Sequence, residues 1–164
     1  ILIFIYFSGL TSFSFIILPI MLNKIKPKIL NKKCFKVLRS YGSIIILDFG
    51  KKISYQSPKN QINYIGEFSL IVNTSDWILA KENNFLCDGN SQKDLIDKNI
   101  TIIKNKKLID INNSSIQTSF VFDDNIILQI PLDNQSEEYD LYTNDGHVLV
   151  VGPNHKFVYK KSNK

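Results

Sequence analysis

Gly42-Ser43-Ile44-Ile45-Ile46-Leu47-Asp48-Phe49-Gly50 is the stretch on which the fold of this chain turns. A β-branched run of this length between two glycines reads as a well-buried strand. Working outward, residues 64–73 read as a second long strand. Phe68, Leu70 and Val72 fall on one face, with Ile65, Ser69 and Ile71 on the other. Residues 51–57 read as a hairpin return of the first strand, and 57–61 as a loop. Thr74-Ser75-Asp76 breaks the chain before Trp77-Ile78-Leu79-Ala80, and Glu82-Asn83-Asn84 turns into Phe85-Leu86-Cys87. Upstream, residues 34–38 form a short strand, and residues 22–30 a short helix limited by Pro27.

The second half repeats this grammar. Ser91 and Asp94 mark a short capped helix over residues 92–98. Strands follow at 100–103, 108–111, 117–122, 126–130, 139–142, 147–151 and 156–159. Asp123-Asp124-Asn125 and Asn144-Asp145-Gly146 are the hairpin turns. Three patterns of the first half have counterparts in order. Ile45-x-Leu47-x-Phe49 matches Thr118-x-Phe120-x-Phe122, and Phe68-x-Leu70-x-Val72 matches Ile126-x-Leu128-x-Ile130. Trp77-x-Leu79 matches Tyr139-x-Leu141. A fourth alignment sets Lys33-x-Phe35-x-x-Leu38 against Lys98-x-Ile100-x-x-Ile103. The expectation is an α+β fold, predominantly antiparallel β, of two similar β units with one or two short helices.

Three segments are expected along the chain: residues 1–20, a β-rich domain over 21–160, and a frayed tail over 161–164. Residues 1–20 carry no charge and are long enough to span a bilayer, with a Lys-rich stretch after them. They read either as a membrane anchor or as upstream sequence translated ahead of a start at Met21, the only Met. Ile, Lys and Asn make up 62 of the 164 residues and Arg occurs once, the bias of AT-rich codons. Charge is uneven. Residues 21–52 hold nine Lys or Arg and one acid, whereas residues 53–164 hold eleven and fourteen. The basic segment suits a solvated face better than a nucleic-acid surface.

The elements around residues 38–79 resemble a widespread family of small bacterial proteins with no assigned activity. The matching residues are Leu47-Asp48-Phe49-Gly50, then Gly66-Glu67-Phe68-Ser69-Leu70-Ile71, then Asp76-Trp77-Ile78-Leu79. Phe122-Asp123-Asp124-Asn125-Ile126-Ile127-Leu128 is similar to that family's second half. The resemblance implies a β-rich domain starting near Met21 and brings no activity. Members of that family often sit near toxin loci. Ile78 and Ile71 stand where the family commonly has Arg and His.

Catalytic chemistry finds little footing in these residues. Two Cys give no disulfide framework, and no spacing ties Cys34 or Cys87 to His147 or His155. Neither a phosphate-binding Gly motif nor a calcium loop occurs. Asp123, Asp124 and Asp145 read as turn residues. No cofactor and no metal ligand are implied. The expected role is a non-enzymatic, cytoplasmic interaction protein of immunity type. Asp133, Glu137, Glu138 and Asp140 would meet a basic protein such as a nuclease toxin, with Trp77 as a further contact residue. The alternatives are a membrane-anchored protein and a weak nucleic-acid binder acting through residues 24–52.

Overall fold

The run at residues 42–50 forms the start of a strand whose two neighbours along the chain flank it in a sheet. The computed structural model describes residues 14–132, 137–152 and 157–162, with side chains from Ile20 onward. Helix α1 (Ser14–Ile29) leads into an antiparallel meander of β1 (Cys34–Arg39), β2 (Ile45–Gln56) and β3 (Ile62–Val72). The chain then crosses to a second sheet as the hairpin β4 (Ile78–Lys81) and β5 (Asn84–Asp88). Helix α2 (Lys93–Ile100), continued by a 3-10 turn over Thr101–Ile103, opens the second half. A second meander, β6 (Leu108–Asn113), β7 (Gln117–Phe122) and β8 (Ile126–Pro131), builds on β4. The hairpin β9 (Tyr139–Tyr142) and β10 (His147–Val151) returns to the first sheet beside β3, and β11 (Phe157–Lys161) follows on β10.

The strand orders, β1-β2-β3-β9-β10-β11 and β6-β7-β8-β4-β5, are the same order written twice, with β11 added. Each half contributes a three-stranded meander to one sheet and a hairpin to the other. Register agrees with this exchange. Leu79 opposes Leu128 across one junction, and Leu141 opposes Leu70 across the other. The aromatic at each crossing is buried and anchored. The Trp77 indole N–H donates to the Ser43 carbonyl (2.9 Å), and the Tyr139 hydroxyl bonds Thr118 Oγ1 (3.3 Å).

The two halves meet at a short crossing that is itself symmetric. Asn31-Lys32-Lys33-Cys34 runs beside Asn105-Lys106-Lys107-Leu108, and Lys33 and Lys107 form a bridge. The Asn31 and Leu108 amides donate to the carbonyls of Leu108 and Lys32. In the mirror pair, the Asn105 and Cys34 amides donate to the carbonyls of Cys34 and Lys106. Asn31 and Asn105 both take positive φ (63° and 69°), a conformation Asn tolerates at the end of a helix. Beneath this crossing, Phe49 and Phe122 stack with centroids 6.2 Å apart and planes 8° apart. They are the equivalent residues of β2 and β7, so the stack joins like to like.

The helices are also exchanged. α2 packs on β1 and β5 of the first half, while α1 packs on β6 and reaches the β9–β10 turn through Lys28 and Asp145. Leu22, Ile25 and Ile29 of α1, and Ile96, Ile100 and Ile103 around α2, are buried in one core with the inner faces of both sheets.

The α+β, mainly antiparallel class is as expected, with five local differences. Helix α1 runs over Ser14–Ile29 with Pro27 inside it, instead of being a short helix limited by that proline. Residues 100–103 are helical, because Ile96, Ile100 and Ile103 form a stripe at helical spacing. The true counterpart of β1 is therefore β6. Residues 51–56 continue β2 instead of returning along it, past a bulge between Phe49 and Lys52. The Ser91 hydroxyl bonds Asp88 (2.7 Å) and leaves α2 without a side-chain cap. Finally, β11 reaches Lys161, and the Ser162 amide donates to the Gly146 carbonyl (2.7 Å), so the ordered chain enters the segment expected to fray.

Because the Phe49–Phe122 stack is fully buried, Phe122→Ala and Phe49→Ala should each destabilise the fold by about 3–5 kcal/mol in urea unfolding. The double variant should lose less than the sum, since each single change already removes the stack.

Candidate functional site

The residues expected to meet a partner do not form one surface. Trp77 and Glu138 are buried, at 0% and 1% exposure, and Asp140 is half-buried. Glu137 is exposed, and Asp133 lies outside the described residues. Tyr139, a core anchor, sits between Glu138 and Asp140; the alternation of β9 turns Asp140 to the opposite face, while Glu138 precedes the strand and is buried. Trp77 carries core packing, as a sole Trp at a strand crossing usually does.

Ion pairs absorb most of the basic segment. Lys26 pairs with Asp110, Lys28 with Asp145 (2.8 Å), and Lys32 with Glu67 (2.8 Å). Lys36 lies 3.4 Å from Asp48, and Arg39 grips Asp97 through two nitrogens (both 2.8 Å). Four of the nine bases in residues 21–52 are thus met by acids from the rest of the chain, and these pairs tie α1 and β1 to their neighbours. Asp48 is buried and also accepts a hydrogen bond from the Ser69 hydroxyl across the β2–β3 pair.

The two thiols and the described histidine are engaged in structure. Burial pushes the Cys34 thiol up to about 12 and the Cys87 thiol to about 11, so neither is a thiolate at neutral pH. His147 Nδ1 stands 3.1 Å from Asp145, and its ring stacks on Tyr159. That carboxylate also holds Lys28 and the Thr143 hydroxyl (2.5 Å), which makes it a clamp between α1 and the β9–β10 turn. His155 lies outside the described residues. Among the described residues, no group of three or more His, Cys, Asp or Glu could hold a metal ion, and no helix is long and apolar enough to cross a membrane. The expected anchor at residues 1–20 falls mostly outside the described residues.

The feature without a structural duty is the outer part of the β2–β3 hairpin. Beyond Phe49 and Phe68, the last core pair, the two strands continue as a ribbon through the pairs Lys52–Gly66 to Gln56–Ile62. Two glycines set its base. Gly50 takes φ 76° at the bulge and leaves room for the Glu67 carboxylate. Gly66 has no space for a Cβ, which would meet the Phe49 amide nitrogen at 2.6 Å. The ribbon exposes Ile53 (45%), Tyr55 (45%), Ile62 (68%) and Tyr64 (49%), far more apolar surface than a solvated hairpin needs. Between it and β1 lies an open groove of about 430 Å³, lined by Phe35, Lys36, Lys52, Tyr55, Ile62 and Tyr64. Lys52 sits 5.4 Å over the Phe35 ring. Lys36 reaches from Asp48 to the Tyr64 carbonyl (3.4 Å), joining the buried carboxylate to the ribbon.

None of the expected site residues lies on this ribbon. Its signal in the sequence is the stretch from Gly50 to Gly66, which has three Lys, two Tyr and no acid, and whose apolar residues never settle on one buried face. No family model, no curated protein and no solved structure matches the chain.

The ion pairs carry a pH dependence. Hydrogen bonding from Lys28, and then from Thr143 and His147, holds the Asp145 carboxyl far below its ordinary range, and Lys26 lowers that of Asp110. A carboxyl depressed in the folded state stabilises it fully above its unfolded pKa of about 3.9, and this contribution is lost as pH falls through the folded value. The urea midpoint should therefore fall steadily from about pH 5 downward. Asp110→Asn/Asp145→Asn should start lower at pH 7 and show a shallower acid slope.

Proposed function

We propose that this chain is a non-enzymatic, cytoplasmic binding protein that meets its partner through the β2–β3 ribbon. The observation carrying this reading is the ribbon itself. It holds four large exposed apolar side chains that contribute nothing to the core, on a base bent by two glycines. The rest of the molecule supplies a rigid two-sheet platform, the arrangement in which a projecting element is best held for recognition. The buried thiols and the structurally engaged His147–Asp145 pair support a binding role over a catalytic one.

An immunity-type role is a second reading, in which an acidic surface meets a basic protein. It rests on the exposed Glu137, the described member of that stretch that faces solvent.

A photo-crosslinking amino acid placed at Ile62 in the full chain, expressed in its own cells, tests the first reading. One dominant adduct is expected from position 62, absent from position 116, where Ile116 is equally exposed on the other sheet. The adduct should vanish when residues 51–65 are replaced by a two-residue turn, with the circular dichroism spectrum of the platform kept. Equal crosslinking from both positions overturns the ribbon as contact element. A dominant adduct from position 137 alone would favour the immunity-type reading.

A further inference from the structure

We propose that β11 is a homodimerisation strand. Its free edge pairs antiparallel with β11 of a second copy, about a two-fold axis at Tyr159, and joins two six-stranded sheets into one. The pairing stands on the strand edge alone, whether or not the ribbon is the contact element.

The other three edge strands of the two sheets each have a helix against them. α2 packs on β1 and β5, and α1 packs on β6. Arg39 of β1 holds Asp97 of α2, and Lys26 of α1 holds Asp110 of β6. The Asn99 side-chain amide donates to the Leu86 carbonyl of β5 (2.9 Å). β11 packs on β10, and among the described residues no helix packs on it in this way. It is also the strand without a counterpart in the other sheet, so completing a half of the fold does not require it. Phe157 packs against the core, whereas Val158 (50%), Tyr159 (36%), Lys160 and Lys161 are exposed. An uncovered edge strand is a template for a further strand.

The ladder decides which backbone groups are free. The Thr143 amide donates to the His147 carbonyl (2.8 Å), and the Ser162 amide donates to the Gly146 carbonyl (2.7 Å). Such bonds alternate along an antiparallel pair, so the odd-numbered residues of β10 bond β9 and the even-numbered ones bond β11. Val158 and Lys160 therefore turn their peptide groups to β10, while Phe157, Tyr159 and Lys161 turn theirs outward. Tyr159 is the middle of the three. A second β11 centred there exchanges hydrogen bonds at Tyr159 with Tyr159 and at Phe157 with Lys161, and uses every outward group of the strand.

Side chains select a copy of the strand itself. Phe157-Val158-Tyr159-Lys160-Lys161 is apolar in its first half and basic in its second. Antiparallel self-pairing sets Phe157 opposite Lys161 and Val158 opposite Lys160. Each lysine then meets an aromatic or apolar residue, its ammonium over the ring or its stem along the valine. A two-fold axis at Lys161 would instead oppose lysine to lysine, which is destabilising. In the joined sheet the two β3 strands stand seven strand spacings apart, roughly 34 Å at about 4.8 Å per spacing. On the ribbon reading, the dimer carries two contact elements on one sheet and gains avidity without any new contact.

The test is sedimentation velocity of the full chain from about 2 to about 200 μM, since association follows mass action. A species of twice the 18.9 kDa chain mass is expected to grow with concentration. Tyr159→Pro removes the central outward donor and costs the β10–β11 pair no hydrogen bond. Val158→Lys opposes two lysines and leaves the backbone as it is. Both variants should stay monomeric over the whole range with an unchanged circular dichroism spectrum, and Val158→Lys decides the matter if Pro disturbs the strand. Under mild oxidation Tyr159→Cys should form a disulfide-linked dimer, because self-opposed residues lie about 5.5 Å apart at Cα. Val158→Cys should not, because its own copy lies on the diagonal, beyond a reach of about 7 Å. Cys34 and Cys87 are buried and do not compete. A monomer at every concentration overturns the proposal. So does a dimer that survives Val158→Lys, or one lost when residues 51–65 are replaced by a two-residue turn, which would assign the contact to the ribbon. Assemblies growing beyond the dimer overturn the closed two-fold, and crosslinking from position 158 without position 159 overturns its axis.

Discussion

Everything in this structure depends on the contact of Phe49 with Phe122 beneath the Asn-Lys-Lys crossing. The stack brings equivalent strands of the two halves together at the point where the backbone symmetry is also expressed. Each sheet is complete only when a hairpin from the other half has joined it, and each helix covers strands of the opposite half. The arrangement is that of a swapped two-fold dimer written on a single chain. A half without its counterpart would expose the inner face of a three-stranded meander and the edge of its last strand. An exposed apolar face and an open strand edge are both strong drivers of association.

Electrostatics reinforce that interlocking instead of creating an external surface. Lys28 and Lys26 of α1 reach acids in the second half, and Arg39 of β1 reaches Asp97 of α2. The uneven charge along the sequence is thus partly an internal matching of segments. The exposed apolar side chains of the ribbon, and not residual charge, are why the proposed contacts fall there and not along α1.

Much of the architecture was legible because β structure writes itself in alternation. Phe68, Leu70 and Val72 face the core as their spacing says, and so do Phe120, Phe122, Ile126 and Leu128. The paired aromatic endings Trp77 and Tyr139 revealed the two units. What misled was residues 98–103, whose apolar spacing serves a short helix as well as a strand. The clearer marker of the repeat, Asn31-Lys32-Lys33 against Asn105-Lys106-Lys107, lies in polar residues that a search for apolar pattern passes over. The candidate site was less legible. Acidic residues near Glu138 look like a surface in one dimension, but tertiary packing buries Glu138 and half-buries Asp140. The ribbon went unread because a hairpin running past the core and one folded within it have the same period-two signature. Only the tertiary contacts reveal that, among the described residues, none packs over Ile53, Tyr55, Ile62 and Tyr64 enough to bury them.

The exchange of elements also sets an order for synthesis. β3 gains its second neighbour only when β9 emerges, and β6 and the β9–β10 turn sit where α1 must dock. A nascent chain that has released β1 to β5 holds a meander with one unpaired edge, a hairpin with no sheet to join and a helix without its seat. Folding must therefore wait for the last third of the chain, and distant pairings of this kind are slow to close. A ribosome-bound intermediate of this protein would be one that chaperones recognise for most of its translation.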